Sequence, residues 1–116
     1  MHKLYNHNTS SLSTLDLKMV RSVPAGGNWK NIPKNIPSER LKKIRKSGGR
    51  TTYYGRLRWD NPSYTINTYF NRPGNGCFMH PDDNNSKNPQ HRLLSFREAA
   101  RIQSFQDDFK FFGFFF

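Results

Sequence analysis

Alternation of apolar and polar residues is the clearest local pattern along the chain. From Thr52 to Trp59 the period is two, with Tyr53, Leu57 and Trp59 on one face and Tyr54, Arg56 and Arg58 on the other. That pattern predicts an amphipathic strand with a cationic outer face. Asp60-Asn61-Pro62 predicts a turn into a second alternating strand, Ser63 to Phe70, where Tyr64, Ile66 and Phe70 oppose Thr65, Asn67 and Tyr69. A tight loop at Arg72-Pro73-Gly74-Asn75-Gly76 then leads to a short third strand at Cys77-Phe78-Met79.

Two helices flank this region. Ser38 is placed to cap a helix over Glu39 to Lys46, with an acid in its first turn, bases in its last, and Gly48-Gly49 as the stop. Leu41 and Ile44 are its only apolar stripe, so most of its circumference faces solvent or phosphate. Ser95 and Glu98 stand at capping-box spacing ahead of a second helix, Phe96 to about Phe105, with Leu94 positioned to staple onto Ala99.

The remaining segments read as connections. Residues 1–15 are polar without a sustained period and predict a frayed leader. Pro24, Gly26, Gly27, Pro33 and Pro37 exclude a long helix or a central strand and predict an extended arm anchored by Trp29 and Ile32. Residues 82–91, rich in Asp, Asn and Lys, form a polar linker. The fold class expected is a small α+β unit: a short antiparallel sheet between Thr52 and Met79, a basic helix before it and a capped helix after it.

Composition narrows the picture. A length of 116 residues supports one domain and leaves no room for a large enclosed active site. Mean hydropathy is −0.91, low for a globular chain. Aromatic residues at 15% nevertheless argue against full disorder. The formal charge is +11, and residues 1–81 carry all of it, with fourteen basic and three acidic side chains, whereas residues 82–116 hold five of each. Between Lys30 and Arg58 ten basic residues face only Glu39. Such a localised field raises affinity for a polyanion through counterion release, so nucleic acid is the first partner to consider. One cysteine, Cys77, excludes an internal disulfide framework, and no stretch has the ~20 apolar residues of a membrane span. A cytoplasmic protein is expected. Cys77, His80 and His91 are too few for a structural zinc site, so no metal is expected.

Two stretches resemble a known family. Arg92-Leu93-Leu94-Ser95-Phe96-Arg97-Glu98-Ala99-Ala100-Arg101-Ile102-Gln103-Ser104-Phe105-Gln106-Asp107-Asp108-Phe109 resembles the ninth conserved motif of bacterial cytosine-5 DNA methyltransferases. Arg56 to Ile66, continuing through Gly76-Cys77-Phe78-Met79-His80-Pro81, is similar to the end of the target-recognition region that precedes that motif. With the arm Ala25 to Lys30, the resemblance spans about residues 16–113. It divides the chain into a leader at 1–15, a DNA target-recognition region at 16–81, a linker at 82–91, a ninth-motif helix at 92–113 and an aberrant tail at 114–116.

The resemblance implies a chain that meets double-stranded DNA in a restriction-modification setting while a Rossmann-like catalytic domain, absent here, holds S-adenosylmethionine and the nucleophile. In that family the target cytosine is swung out of the duplex, because its reactive carbon is inaccessible in the stack. No Phe-x-Gly-x-Gly loop, Pro-Cys-Gln loop or Glu-Asn-Val stretch occurs in the chain. Gln106 stands where the family usually has proline, and Phe114-Phe115-Phe116 replaces the expected approach to a Gly-Asn-Ala-Val-Pro motif. The expectation is therefore a truncated recognition fragment with no catalytic residue, no cofactor of its own and no methyl transfer alone. A separate catalytic methyltransferase half is the partner this implies.

Candidate DNA contacts follow. Arg56 and Arg58, on one strand face, suit phosphates or the guanine edge. Arg72 lies in the glycine loop, where backbone approaches DNA closely, and Arg50 follows the helix stop. Lys42, Lys43, Arg45 and Lys46 cover several helix faces and suit sequence-independent phosphate contact. The resemblance adds Thr65 and Thr68, similar to positions whose hydroxyls touch the backbone beside the flipped nucleotide. Cys77 lacks the prolyl loop and glutamate of the family nucleophile and reads as a packed strand residue. Glu98 reads as the cap of its helix, and the resemblance implies that the motif carrying Arg97, Glu98 and Arg101 organises the recognition domain rather than doing chemistry. The rival reading is a stand-alone basic RNA- or DNA-binding protein that stacks bases on Tyr53, Tyr54, Trp59, Tyr64, Tyr69 and Phe70.

Overall fold

The computed structural model describes residues 5–67 and 70–112. Helix α1 spans Thr14–Ser22, α2 Glu39–Ser47 and α3 Phe96–Ile102, with strands β1 at Gly55–Arg56 and β2 at Cys77–Met79. Single 3-10 turns lie at Trp29–Asn31 and Pro73–Asn75.

Each helix starts on a serine. The Ser13 side chain accepts a hydrogen bond from the Asp16 amide, Ser38 from Leu41, and Ser95 from Glu98. In α3 the box is reciprocal, because the Glu98 carboxylate accepts from the Ser95 amide at 2.8 Å. Gly48 ends α2 in the left-handed region at φ 71°, where a Cβ would be strained. The sequence reading passed over α1, although Ser13-x-x-Asp16 ahead of Leu17, Met19 and Val20 carries the same capping signature.

The sheet differs from the expectation. β1 and β2 pair in parallel, with Gly55 opposite Cys77 and Arg56 opposite Met79, and Met79 makes a single antiparallel bridge to Leu93. The antiparallel meander is thereby corrected: Ser63–Phe70, predicted as the middle strand, has no strand structure from 63 to 67, and 68–69 lie outside the described residues. The chain thus enters β2 in the same direction as β1, with residues 58–62, 64, 65, 67 and 72 exposed between them.

Alternation in Thr52–Trp59 fails for a local reason. Tyr54 adopts φ 52°, and the register shifts between Gly55 and Arg56. Both events reset a period of two. Tyr54, Gly55, Arg56 and Leu57 are all buried in succession, whereas Trp59, placed on the inner face by the pattern, is 73% exposed. Gly55 is required by packing: a Cβ there would sit 2.8 Å from the Cys77 Cβ and 2.8 Å from the Thr52 carbonyl oxygen.

The core gathers Met19 and Val20 of α1, Val23 at its C-cap, Trp29 and Ile32 of the arm, Leu41 and Ile44 of α2, and Phe78, Met79 and Leu93. The arm is anchored where expected, with the Trp29 indole N–H donating to the Arg50 carbonyl. Residues 5–8, read as part of a frayed leader, instead meet α3. The Phe96 and Arg97 amides donate to the carbonyls of Asn8 and Asn6, at 3.1 and 2.9 Å. Those are two of the amides a helix start leaves without an internal acceptor, which explains why a polar segment is held there.

Candidate nucleic-acid interface

Two arginines, Arg56 predicted on an outward strand face and Arg97 read as part of an organising motif, are the internal braces of this fold. Arg56 is 1% exposed. Its guanidinium donates to the carbonyls of Val20, Val23, His80, Asp82 and Gln90, at 2.7–3.2 Å. It ties α1, the end of β2 and both ends of the 82–91 segment to β1. Burial pulls the group below its ordinary pKa, and Asp83 and Asp82 oppose that pull. Arg56 therefore has no face left for phosphate or guanine, which corrects its pairing with Arg58.

Arg97 is likewise fully buried. It donates to the carbonyls of Tyr5, Gln106 and Phe109 and stacks over the Phe111 ring. The sequence reading assigned Arg97 an organising role, and its partners are residues 5–6 and 106–111 on either side of α3.

Arg58 remains at the surface, bidentate to Asp60 at 3.0 and 3.0 Å in an exposed pair. Lys42, Lys43, Lys46, Arg50, Thr65 and Arg72 are exposed as expected of contact residues. Arg45 is half-buried because one guanidinium nitrogen donates to the Ile32 carbonyl. Thr68 lies outside the described residues. Of the aromatic set proposed for base stacking, Tyr54 is buried, Tyr53 and Phe70 are half-buried, Tyr69 is outside the described residues, and Trp59 and Tyr64 are exposed.

Trp59 borders a cleft of about 380 Å³ lined also by Leu57, Leu94 and Ile102 and by the polar side chains of His80, Glu98, Arg58 and Arg101. The indole N–H donates to Asp82 at 3.0 Å, and the ring meets His80 edge-on, at 5.6 Å between centroids. Glu98 receives Arg92 on both oxygens, at 2.6 and 3.0 Å. Burial would raise its carboxyl, but the hydrogen bonds from Arg92 and the Ser95 amide outweigh it and hold Glu98 down at about 2. Burial first, and Arg92 next, push His80 below its ordinary value, against Glu98 and Asp82. Sequence reasoning did not join His80 and Trp59 to α3, since their sequence separation carries no periodic signal.

This wall titrates in two windows. Both groups are lowered on folding, so each contributes stability that is present above its unfolded pKa and lost as pH falls toward its folded one. For His80 the loss starts below 6.5, and His91, lowered by burial and Arg56, adds to it. For Glu98 the loss runs from about 4.5 down to about 2. Melting temperature followed by circular dichroism is expected to fall in two steps on acidification. His80→Asn should shrink the upper step and leave the lower; a single step below 4.5 in the unmodified chain would contradict this assignment.

Cys77 is buried, and burial pushes its thiol up to about 11, the opposite of an activated nucleophile. Among the described residues no group of three or more His, Cys, Asp or Glu is placed to hold a metal, and no helix is long and apolar enough to cross a membrane. The Trp59 cleft offers no free carboxylate to the ribose diol of S-adenosylmethionine, because Glu98, the carboxylate in its lining, is already engaged by Arg92 and the Ser95 amide.

Fold and surface together define a small α+β unit braced by buried arginines and carrying a strongly basic exterior. Residues 1–114 match the family described as C-5 cytosine-specific DNA methylase, and the chain belongs to that family. It is 36% identical over 106 residues to the type II methylase M.HgiDII of Herpetosiphon aurantiacus, covering 90% of this chain and 27% of that protein. It is 39% identical over 98 residues to the type II methyltransferase M.PspPI of a Psychrobacter strain, covering 83% and 21%. It is also 32% identical over 137 residues to the DNA (cytosine-5)-methyltransferase CMT3 of Arabidopsis thaliana, covering 97% and 15%. The chain thus spans about a quarter or less of the length of these relatives, which come from a plant as well as from bacteria.

Proposed function

We propose that this chain is the DNA-recognition part of a cytosine-5 DNA methyltransferase of a restriction-modification system, and that a catalytic half supplies S-adenosylmethionine binding and methyl transfer. The observation that carries the reading is family membership over residues 1–114 combined with a basic exterior that folding leaves accessible. Lys42, Lys43 and Lys46 on α2 act as phosphate contacts that set affinity, and Arg45 adds its partly exposed charge. Arg50, Arg58, Thr65 and Arg72 sit on the loops around β1 and β2 and carry sequence choice or local backbone contact. Arg58 gives up little when it exchanges Asp60 for DNA, because an exposed pair is worth about 0–1 kcal/mol.

The test is duplex binding followed by fluorescence anisotropy across salt concentrations. Replacing Lys42, Lys43 and Lys46 together by alanine should lower the slope of log K against log salt by up to about 2.7, equally for all duplexes. Arg58→Ala should compress the difference between preferred and other duplexes by about 1–3 kcal/mol. Preference of the unmodified chain for single-stranded RNA over every duplex would overturn the proposal.

A further inference from the structure

His80 is buried beside four charged side chains. Asp82 and Glu98 face it with carboxylates, 3.9 Å from Nδ1 and 3.8 Å from Nε2, while Arg56 of β1 and Arg92 act on it with positive charge. Geometry fixes the tautomer. The Asp82 amide donates to Nδ1 at 3.1 Å, so Nδ1 holds a lone pair and the neutral ring carries its proton on Nε2. The neighbouring Trp59 ring is exposed but tethered: its indole N–H donates to Asp82 Oδ1 at 3.0 Å, and the two rings meet edge-on.

A proton on Nδ1 reverses this arrangement. The nitrogen turns from acceptor to donor and opposes the Asp82 N–H, and the resulting imidazolium has a carboxylate near each nitrogen. Of the two, Asp82 is free to move. Glu98 receives Arg92 on both oxygens and the Ser95 amide besides, so shifting it would undo the cap of α3. The Asp82 carboxylate is half-buried, and among the described residues the Trp59 indole is its side-chain hydrogen-bond donor. The Asp82 backbone is pinned, because its carbonyl accepts from Arg56 and from the Gln90 amide. Rotation of the Asp82 side chain is the response that remains. An imidazolium competes with a neutral indole N–H for that carboxylate, and a bond with charge on both partners is the stronger one.

We infer that His80 and Asp82 form a proton-operated latch on Trp59: the neutral imidazole leaves the Asp82 carboxylate on the indole, and the imidazolium draws it away and frees the exposed ring. The cleft that Trp59 borders therefore changes with acidity. Burial and Arg92 resist the incoming proton, so the latch opens below the ordinary histidine value of 6.5 and stays closed above it. Nothing in the latch requires the chain to bind DNA, and failure of DNA recognition would leave it standing.

The experiment is an acid titration of the unmodified chain, with the His80 imidazole and both indole N–H groups followed by NMR. Trp29 serves as the internal reference, since its ring is buried and its indole N–H donates to the Arg50 carbonyl. The order parameter of the Trp59 indole should fall from about 0.85 to below about 0.6, at the same midpoint at which His80 takes up its proton, while that of Trp29 stays constant. A Trp59 indole that keeps its order after His80 has titrated would overturn the inference, and that readout needs no variant to fold. Two variants locate the cause. His80→Asn offers the Asp82 amide an oxygen that takes no proton, so Trp59 should stay ordered through the same range. Asp82→Asn keeps an oxygen for the indole but no charge for the imidazolium to attract, so most of the loosening should disappear. Loosening that persists in His80→Asn, or that is undiminished in Asp82→Asn, would equally refute the latch.

Discussion

Replacing Arg56 by methionine is expected to remove a large part of the stability of this protein, whereas Arg58→Ala, two residues away, is expected to leave the melting temperature nearly unchanged. The Val20 and Asp82 carbonyls keep a backbone donor, from Val23 and Gln90, when the guanidinium goes. The Val23, His80 and Gln90 carbonyls lose the Arg56 donor inside the protein. Each buried acceptor left without a partner costs about 1–3 kcal/mol, against a total stability of about 5–15 kcal/mol for a domain. A loss of about 4 kcal/mol lowers the melting temperature by about 15–30 °C in a chain of this class. Arg56→Lys should fall between, since one ammonium reaches fewer of the five carbonyls. Thermal unfolding followed by circular dichroism separates the two arginines. A stable Arg56→Met chain with selectively weakened DNA binding would restore Arg56 to the surface and refute the burial described here.

Arg97→Met is expected to act differently, by releasing one corner rather than dissolving the whole. Arg97 joins residues 5–6 to residues 106–111 across α3, and a direct pair of bonds runs between the same segments: the Asn6 amide donates to the Phe111 carbonyl and the Phe111 amide to Asn6 Oδ1, both at 2.9 Å. Loss of the guanidinium removes the shared donor and the cation over the Phe111 ring. Hydrogen exchange should accelerate at Phe96 and Phe111, whose amides meet Asn8 and Asn6, while Leu57 and Leu94 stay protected by the Met79 and Phe78 carbonyls. Local opening of this kind is the signature of a separable cooperative unit. Uniform acceleration at all four amides would show instead that Arg97 supports the entire core.

The two arginines also show why much of the site was hidden from a reading of the chain. Period two assigns a face by parity, and Arg56 shares parity with Arg58, so both were placed outward. What puts Arg56 inside is a set of carbonyls 24 to 36 residues away in sequence, at Val20, Val23, His80, Asp82 and Gln90. The Trp59 cleft was hidden for the same reason, because it joins the end of β1 to His80 and to α3. Arg58, Lys42, Lys43 and Lys46 were legible as exposed, since long charged side chains leave the interior unless they find partners.

What the sequence determined by itself is local or compositional. The caps of α2 and α3 join residues three apart, so Ser38, Ser95 and Glu98 announce them wherever the helices dock. The basic segment from Lys30 to Arg58 and the family of residues 92–109 are likewise readable in one dimension. Tertiary structure alone decided the parallel sense of β1 and β2, the seating of residues 5–8 on α3 and the inward turn of Arg56. These depend on the left-handed turn at Tyr54, the register shift beside it and acceptors contributed by distant backbone, none of which leaves a trace in the alternation of neighbouring side chains.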